Sequence, residues 1–541
     1  ARVPDTLDLA ERAKLAINGL TGCVKPQENY AAYLRVNFER DKKKMKMSQQ
    51  DLCPGKVMDA LVLARIMSGS NFKIEVDQKW RERFLEEFKE NVPLLTGADG
   101  GRFFSYMATN YIYEHDKGWK YLGEKALERL EQEVVDKGDY AYISNISGLY
   151  GTLHKGKGMP KGWDATFHGW VLQGVTRFYV STGSSKAKVI AGKFANYLKN
   201  YAGIFDDKGH FIAVHYFTGR PALHFAHNAT VLEALMEYAL ATNDKSLGEF
   251  VQKSYRWLLT TGSPLIGFFP EYIKLWPDNR RFEDTETCAI AYMIQLAVEL
   301  TEMGIDDYWD DVDRFLRNQF AENQLPMYDS EGKMYWWHKV AGVFASWAFP
   351  NEFNAPSNIW TTFSLCCTVN AVRAMYKVWD KMIDYDKGNL QVNLLLNRAS
   401  KWVDIHSYIP YEGRVDVRVK QPLNSLLVKS PEWIKAGSKE VICKVNGNAY
   451  SIEWEGRYIK VSSLKEGDLV VLTFPLSERV VKEVIGKVNG KPVEYTFIIR
   501  GNNVVNIKPP SRYEPHYYQK GKYYRNGEVR WKRVERFVID Q

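Results

Sequence analysis

Two adjacent cysteines, Cys366 and Cys367, stand inside Trp360-Thr-Thr-Phe-Ser-Leu-Cys-Cys-Thr-Val-Asn370, and Cys288 follows Glu286 by two positions in Glu286-Thr-Cys288. Three thiols and a carboxylate make a complete tetrahedral ligand set for zinc, and a metal-held thiolate is also a nucleophile. The same thiols could equally be buried small hydrophobes in packed helices. Spacing leaves three roles open: packed thiols, a closed structural zinc site, or a zinc thiolate that does chemistry.

Glu286 and Cys288 point in different directions if they sit in the middle of a helix. They can converge on one ion at a helix start, where the backbone is looser and Asp284 or Thr285 can cap. The cysteine pair likewise lies just ahead of a helical pattern that begins at Val369. Helix N-termini favour anions, thiolates included. The chemistry therefore requires two helix starts to be brought together.

The chain supplies many such starts. From residue 6 to about 380, apolar residues recur at three and four spacing almost throughout. The segments are Asp8–Ile17, Val57–Ile66, Lys79–Phe88, Gly123–Val134, Trp170–Tyr179, Ala187–Tyr201, Thr230–Ala241, Leu247–Leu259, Thr287–Leu300, Tyr308–Phe320 and Val369–Trp379. Loops rich in Gly, Pro, Asn and Asp separate them. The pattern predicts an (α/α)6 barrel over residues 1–385, with a cleft built by long loops at one end. After Asp386-Lys-Gly388 come short alternating runs punctuated by Asn446-Gly447, Glu466-Gly-Asp468 and Asn489-Gly490, which predict an antiparallel β-sandwich over 386–509. Residues 510–541 are aromatic and basic and are expected to pack back onto the larger domains.

Composition narrows the function classes. The 541 residues are 45% hydrophobic and 26% charged, an ordinary globular balance, with no uninterrupted apolar stretch of membrane-spanning length. A net charge of +8 is small for this length, and the densest basic run, Asp41 to Lys46, reads as a solvated helix face. Neither nucleic acid nor membrane is expected as a partner. Six cysteines are too few for a disulfide framework, and Cys23, Cys53 and Cys443 read as buried thiols. With no charged-then-apolar leader at its start, the chain is expected to be cytoplasmic, or periplasmic or secreted after leader removal. Aromatic residues at 14%, including 16 Trp and 32 Tyr, suit both a sugar-stacking cleft and a large core.

Glu286-Thr-Cys288 with Cys366-Cys367-Thr-Val-Asn370 resembles the Glu-Thr-Cys and Cys-Cys-Pro-Pro-Asn signatures of glycoside hydrolase family 127, the β-L-arabinofuranosidases. Downstream, Gly388-Asn-Leu-Gln-Val-Asn393, Tyr408-Ile-Pro-Tyr-Glu-Gly-Arg-Val415, Ser430-Pro-Glu-Trp433 and Phe474-Pro-Leu476 resemble further segments of that family. The resemblance covers roughly residues 160 to 500. It implies an (α/α)6 barrel with a β-sandwich and zinc held by Glu286, Cys288, Cys366 and Cys367. It also implies a retaining, exo-acting hydrolase of an oligosaccharide or glycoside, a β-L-arabinofuranoside or a related sugar.

The family's nucleophile, taken as the second cysteine of the pair, maps onto Cys367. Its acid/base glutamate maps onto Glu271 in Gly267-Phe-Phe-Pro-Glu271, with Glu283 and Asp284 as further candidates. Around that position the family's Asp-Leu-Pro-Asn-Asp becomes Leu275-Trp-Pro-Asp-Asn279 at a shifted spacing. Substrate-contact candidates are His168 and Asp164, His227 within His224-Phe-Ala-His227-Asn228, and Tyr335 beside Trp336 and Trp337, each of which could equally be a structural residue. Two other outcomes fit the same residues. One is a carbohydrate-binding barrel that keeps only a structural zinc, and the other is a lyase on the same fold.

Overall fold

The computed structural model describes residues 1–39, 42–146, 158–214, 223–273, 284–353, 360–488, 491–518, 524 and 528–539. Among these, twelve α-helices precede the β-rich part: α1 (Leu9–Gly22), α2 (Gly55–Ser68), α3 (Ile74–Glu90), α4 (Gly97–Glu114), α5 (Lys117–Glu131), α6 (His168–Thr182), α7 (Ser185–Asn200), α8 (Phe225–Thr242), α9 (Lys245–Leu259), α10 (Thr287–Glu302), α11 (Trp309–Phe315) and α12 (Leu365–Lys381). The even-numbered helices form a closed inner ring in which each packs on the next and α12 returns to α2. The odd-numbered helices pack outside it. This is the (α/α)6 barrel that the periodicity predicts.

Sequence separates the two rings. Outer helix α9 buries Phe250, Val251, Tyr255 and Leu258 on one stripe, and the Asp244 carboxylate caps it by accepting from Leu247 N at 3.0 Å. Inner helix α10 is buried at every residue from Thr287 to Leu300. A helix apolar all round must lie inside other helices.

Helix α4 escapes the periodic pattern because Gly97, Gly100 and Gly101 read as a loop. They serve close packing instead. A Cβ on Gly101 would lie 2.0 Å from the Trp170 carbonyl oxygen of α6, and one on Gly174 of α6 would lie 2.0 Å from the Gly101 oxygen. The two inner helices meet backbone to backbone.

The first 380 residues are less uniformly helical than the sequence suggests. Strand Ala31–Glu39 pairs antiparallel with Lys44–Asp51 on one side and Trp360–Ser364 on the other. The basic run therefore continues as an exposed strand and not as a helix face. Strand Ala31–Glu39 buries Ala31, Ala32, Val36 and Phe38, too irregular an alternation to be read locally.

Helix α11 passes into a π-turn, Leu316–Phe320, where Asn318 leaves helical geometry. The freed Asn318 amide donates to Asn502 O at 2.9 Å, and its oxygen accepts from Val504 N at 2.8 Å. A side chain thus clips the barrel to the β-rich region.

That region contains a six-stranded and a five-stranded sheet, followed by the three-stranded meander Glu478–Val488, Lys491–Arg500, Asn503–Lys508. Val403 and Ile405 alternate inward with Val415, Val417 and Val419 on the neighbouring strand. The Asn446-Gly447 turn joins Ile442–Val445 to Asn448–Tyr450 with both residues at positive φ, 52° and 83°. Asn489-Gly490 lies outside the described residues. One pair departs from the antiparallel pattern, because Leu423–Lys429 runs parallel to Asn389–Val392.

The final segment returns to the barrel. Arg512 pairs with the buried carboxylate of Glu352 at 2.6 Å, Tyr517 donates to Asn323 Oδ1 at 2.7 Å, and Trp531–Arg533 pairs with Arg2–Pro4.

Candidate metal and catalytic site

Glu286 is the N-cap residue of α10, with extended backbone and no side-chain capping bond, so its carboxylate is turned away from the helix. Asp284 and Thr285 do not cap. Thr285 is held in extended pairing with Pro270 and Ala348, and the Asp284 carbonyl accepts from Glu271 N at 3.0 Å. Cys288 follows in the first turn of α10.

On the neighbouring helix, strand Trp360–Ser364 runs straight into α12, so Cys366 and Cys367 fall in its first turn. Adjacent inner helices thus deliver both halves of the ligand set to one point. Cys288 Sγ lies 3.5 Å from Cys367 Sγ, Cys366 and Cys367 are 4.0 Å apart, and Cys367 Sγ is 3.6 Å from Glu286 Oε1. One donor atom from each of the four lies within 4.8 Å of the others. Asn370, one turn along α12, donates to Cys288 Sγ at 3.1 Å and orients it.

The donor set fits a zinc ion in number, kind and spacing. Its electrostatics point the same way. Burial and the nearby Cys366 and Glu271 push Glu286 up to about 7 against the pull of His224. Burial raises the Cys288 and Cys367 thiols well above their usual range, whereas hydrogen bonds from those two draw Cys366 well below it. Four anions cannot share this buried volume without a cation.

The cluster opens onto a cavity of about 280 Å³. First-turn or second-turn residues of every inner helix reach it: Lys56 of α2, Arg102 of α4, Trp170 of α6, His227 of α8, Cys288 of α10 and Cys366 of α12. Six helix N-termini therefore face one space, and their dipoles favour negative charge there.

The sequence-derived candidates divide sharply. Glu271 lines the cavity on an extended segment, where Phe225 N donates to its carbonyl at 2.7 Å. Its Oε1 lies 3.5 Å from His224 Nε2, which is also 3.4 Å from Glu286 Oε2. His224, overlooked in favour of His227, is thus the link between the two carboxylates. Burial lowers its basicity, but Glu286 and Glu271 more than offset that and raise it. His227 lines the cavity with its ring stacked on Trp163 at 4.2 Å.

His168 does not reach the cavity. Its Nε2 accepts from Ile143 N at 2.9 Å and its Nδ1 faces Ala165 O at 3.1 Å, so both ring nitrogens hold backbone. Asp164 starts a short 3₁₀ turn outside the lining, and Tyr335 stacks on Trp337 at 4.3 Å behind the strand that leads to the cysteines. Glu283 and the Leu275–Asn279 stretch lie outside the described residues.

The two cysteines of the pair differ in exposure. Cys367 is fully enclosed, whereas Cys366 is partly exposed and lines the cavity. A nucleophile must touch its substrate, and of the two thiols it is Cys366 that lines the cavity. The rest of the lining was missed for a plain reason. Arg35, Lys56, Ser346 and Trp347 come from a strand, a helix start and a loop that carry no local motif.

No family model and no curated protein matches the chain. Solved structures do. One described as a glycoside hydrolase superposes with a TM-score of 0.61 at 14% identity, covering 93% of this chain and 81% of the other. The chain shares its fold with glycoside hydrolase family 127 structures. A GH127 β-arabinofuranosidase aligns with a TM-score of 0.57 at 14% identity over 92% of this chain and 80% of its own. The GH127 β-L-arabinofuranosidase from Geobacillus stearothermophilus T6 aligns with a TM-score of 0.55 at 14% identity over 83% and 75%.

Proposed function

We propose that this protein is a retaining glycoside hydrolase acting in exo fashion on a β-L-arabinofuranoside or a related sugar. The observation that carries the proposal is the meeting of Glu286, Cys288, Cys366 and Cys367 at the wall of a cavity that also holds Glu271. A zinc ion held by the four ligands would keep the thiols deprotonated at neutral pH.

The chain's own groups do the rest. Trp163, Trp170, Tyr272 and Trp347 give the sugar ring flat apolar faces. Glu271 protonates the leaving oxygen as the Cys366 sulfur attacks the anomeric carbon and the glycosidic C–O bond breaks. Glu271 then takes a proton from water, whose oxygen displaces the sulfur. Two inversions at the anomeric carbon give net retention. His224, between Glu271 and Glu286, fixes the acid/base against the ligand wall.

Mass spectrometry of the protein trapped with a cysteine-directed arabinofuranoside inhibitor tests this. The expected result is one adduct, on Cys366. An unlabelled cysteine pair, together with binding of oligosaccharides but no release of monosaccharide, would show a carbohydrate-binding barrel with a structural metal instead.

A further inference from the structure

The cavity is electrically polarised across its width. Around the inner ring, α2 and α4 lie opposite α8 and α10. His224, the N-cap of α8, stands with Glu271 and Glu286 on one side. Lys56 on α2 and Arg102 on α4 stand on the other. Acids and bases that line one cavity usually meet as ion pairs. Here, among the described residues, no carboxylate lies within ion-pairing distance of the Lys56 ammonium. Arg102 is 1% exposed, its two terminal nitrogens are engaged by Gln173 and Asn370, and its Nε has no hydrogen-bond partner. A buried guanidinium N–H in a cavity wall is a donor awaiting an acceptor. The backbone N–H of Lys56, in the first turn of α2, is already taken by the Asp99 carboxylate at 3.2 Å, so it is the ammonium that is offered to the cavity.

We propose that the sugar held in this cavity carries an anionic substituent, a carboxylate or a sulfate ester, received by Lys56 and Arg102. This rests on the glycosidase reading of the site and adds to it a substrate class. A sugar with its anomeric carbon at Cys366 and its leaving oxygen toward Glu271 turns the remaining ring substituents to the α2 and α4 side. A neutral sugar offers Lys56 and the buried Arg102 Nε only hydroxyls, whereas an acidic one supplies charge-assisted acceptors.

Calorimetry on the metal-loaded full chain tests this without relying on turnover. The probes are glucuronate and galacturonate, galactose 6-sulfate, and the neutral parents glucose and galactose. The expected result is at least tenfold tighter binding of one anionic class than of its neutral parent. That preference shrinks as salt rises and is lost in Lys56→Gln, which replaces a partly exposed residue and leaves the fold intact. Arg102→Lys is the second variant and should weaken carboxylate binding more than sulfate binding if the planar fork holds a carboxylate. If the uronates lead, the substituent is a carboxylate; if the sulfated sugar leads, it is a sulfate ester. Equal binding of acidic and neutral sugars, no binding of any acidic sugar, or a preference unchanged in Lys56→Gln overturns the proposal. Hydrolysis of neutral nitrophenyl furanosides, measured in parallel, reports separately on the glycosidase reading.

Discussion

At the scale of single residues, the two cysteines of the pair differ by position on one helical turn. Cys366 faces the cavity and Cys367 faces the core. Replacing Cys366 with Ser is expected to abolish turnover and inhibitor labelling. Cys367→Ser and Cys288→Ser should both lower bound metal, measured by elemental analysis, from about one equivalent per chain. Glu271→Gln is expected to cut kcat by roughly 10²–10⁴-fold on substrates with poor leaving groups and much less on nitrophenyl substrates, which need no protonation to depart.

The far end of the barrel holds a second cluster of buried carboxylates. There Glu233, Glu237 and Glu299 gather around Arg177 and Lys377 in the interior. The cations make this an ion-pair network. Burial and the neighbouring Glu237 raise Glu233 to about 7, while Arg177 and Lys377 hold Glu237 well below its usual range against burial. The signs are opposite. Glu233 binds more protons folded than unfolded between about pH 4.5 and 7, so its contribution to stability is lost as pH rises through that window. Glu237 contributes stability above about pH 4.5 and loses it as pH falls through its depressed folded value. Glu233→Gln should therefore flatten the decline in melting temperature between pH 5 and 7, an effect on the order of 2–3 kcal/mol.

At the scale of elements, close packing between helices decides where the walls of the cavity stand. Gly101 and Gly174 let α4 and α6 touch through their backbones, which fixes Arg102, next to Gly101, and Trp170, whose carbonyl meets Gly101. Gly101→Ala should push the helices apart, cost about 1–3 kcal/mol in denaturant unfolding and raise KM more than it lowers kcat. The glycines that hid α4 from the periodic pattern are the reason it packs as it does. Strand Trp360–Ser364 was hidden differently, since its partner Ala31–Glu39 lies more than 300 residues away and neither strand alternates cleanly. Pairing at that separation is invisible to local pattern.

At the scale of the whole molecule, polar clips join barrel and β-rich region. Arg317 Nη2 donates to Leu395 O at 2.7 Å, Asn318 bonds Asn502 and Val504, and Arg457 pairs with Asp310. The last described segment adds Arg512 to Glu352 and Arg536 to Asp8 at 2.9 Å. Removing residues 512–541 leaves two buried carboxylates without those partners and exposes the edge of strand Arg2–Pro4. The expected result is a lower melting temperature, by several degrees, and proteolysis near the start of α1, read by thermal melts and limited digestion.

The sequence by itself determined the helical ring, the sheet-rich second half and the four-residue cluster that could hold a metal. Each of these is written in local periods and short motifs: apolar residues every three or four positions, turn pairs at strand ends, and Glu-x-Cys with Cys-Cys beside helix starts. Tertiary structure alone decided which residues share the cavity. It joined His224 to Glu271 and Glu286, brought Arg35 and Lys56 into the same lining, set His168 and Tyr335 into the surrounding packing, and turned Cys366 rather than Cys367 to the cavity. The physical reason is that a ligand set needs only residue types near helix ends. A cavity instead needs side-chain directions from six helices at once, and these are fixed only when the ring closes.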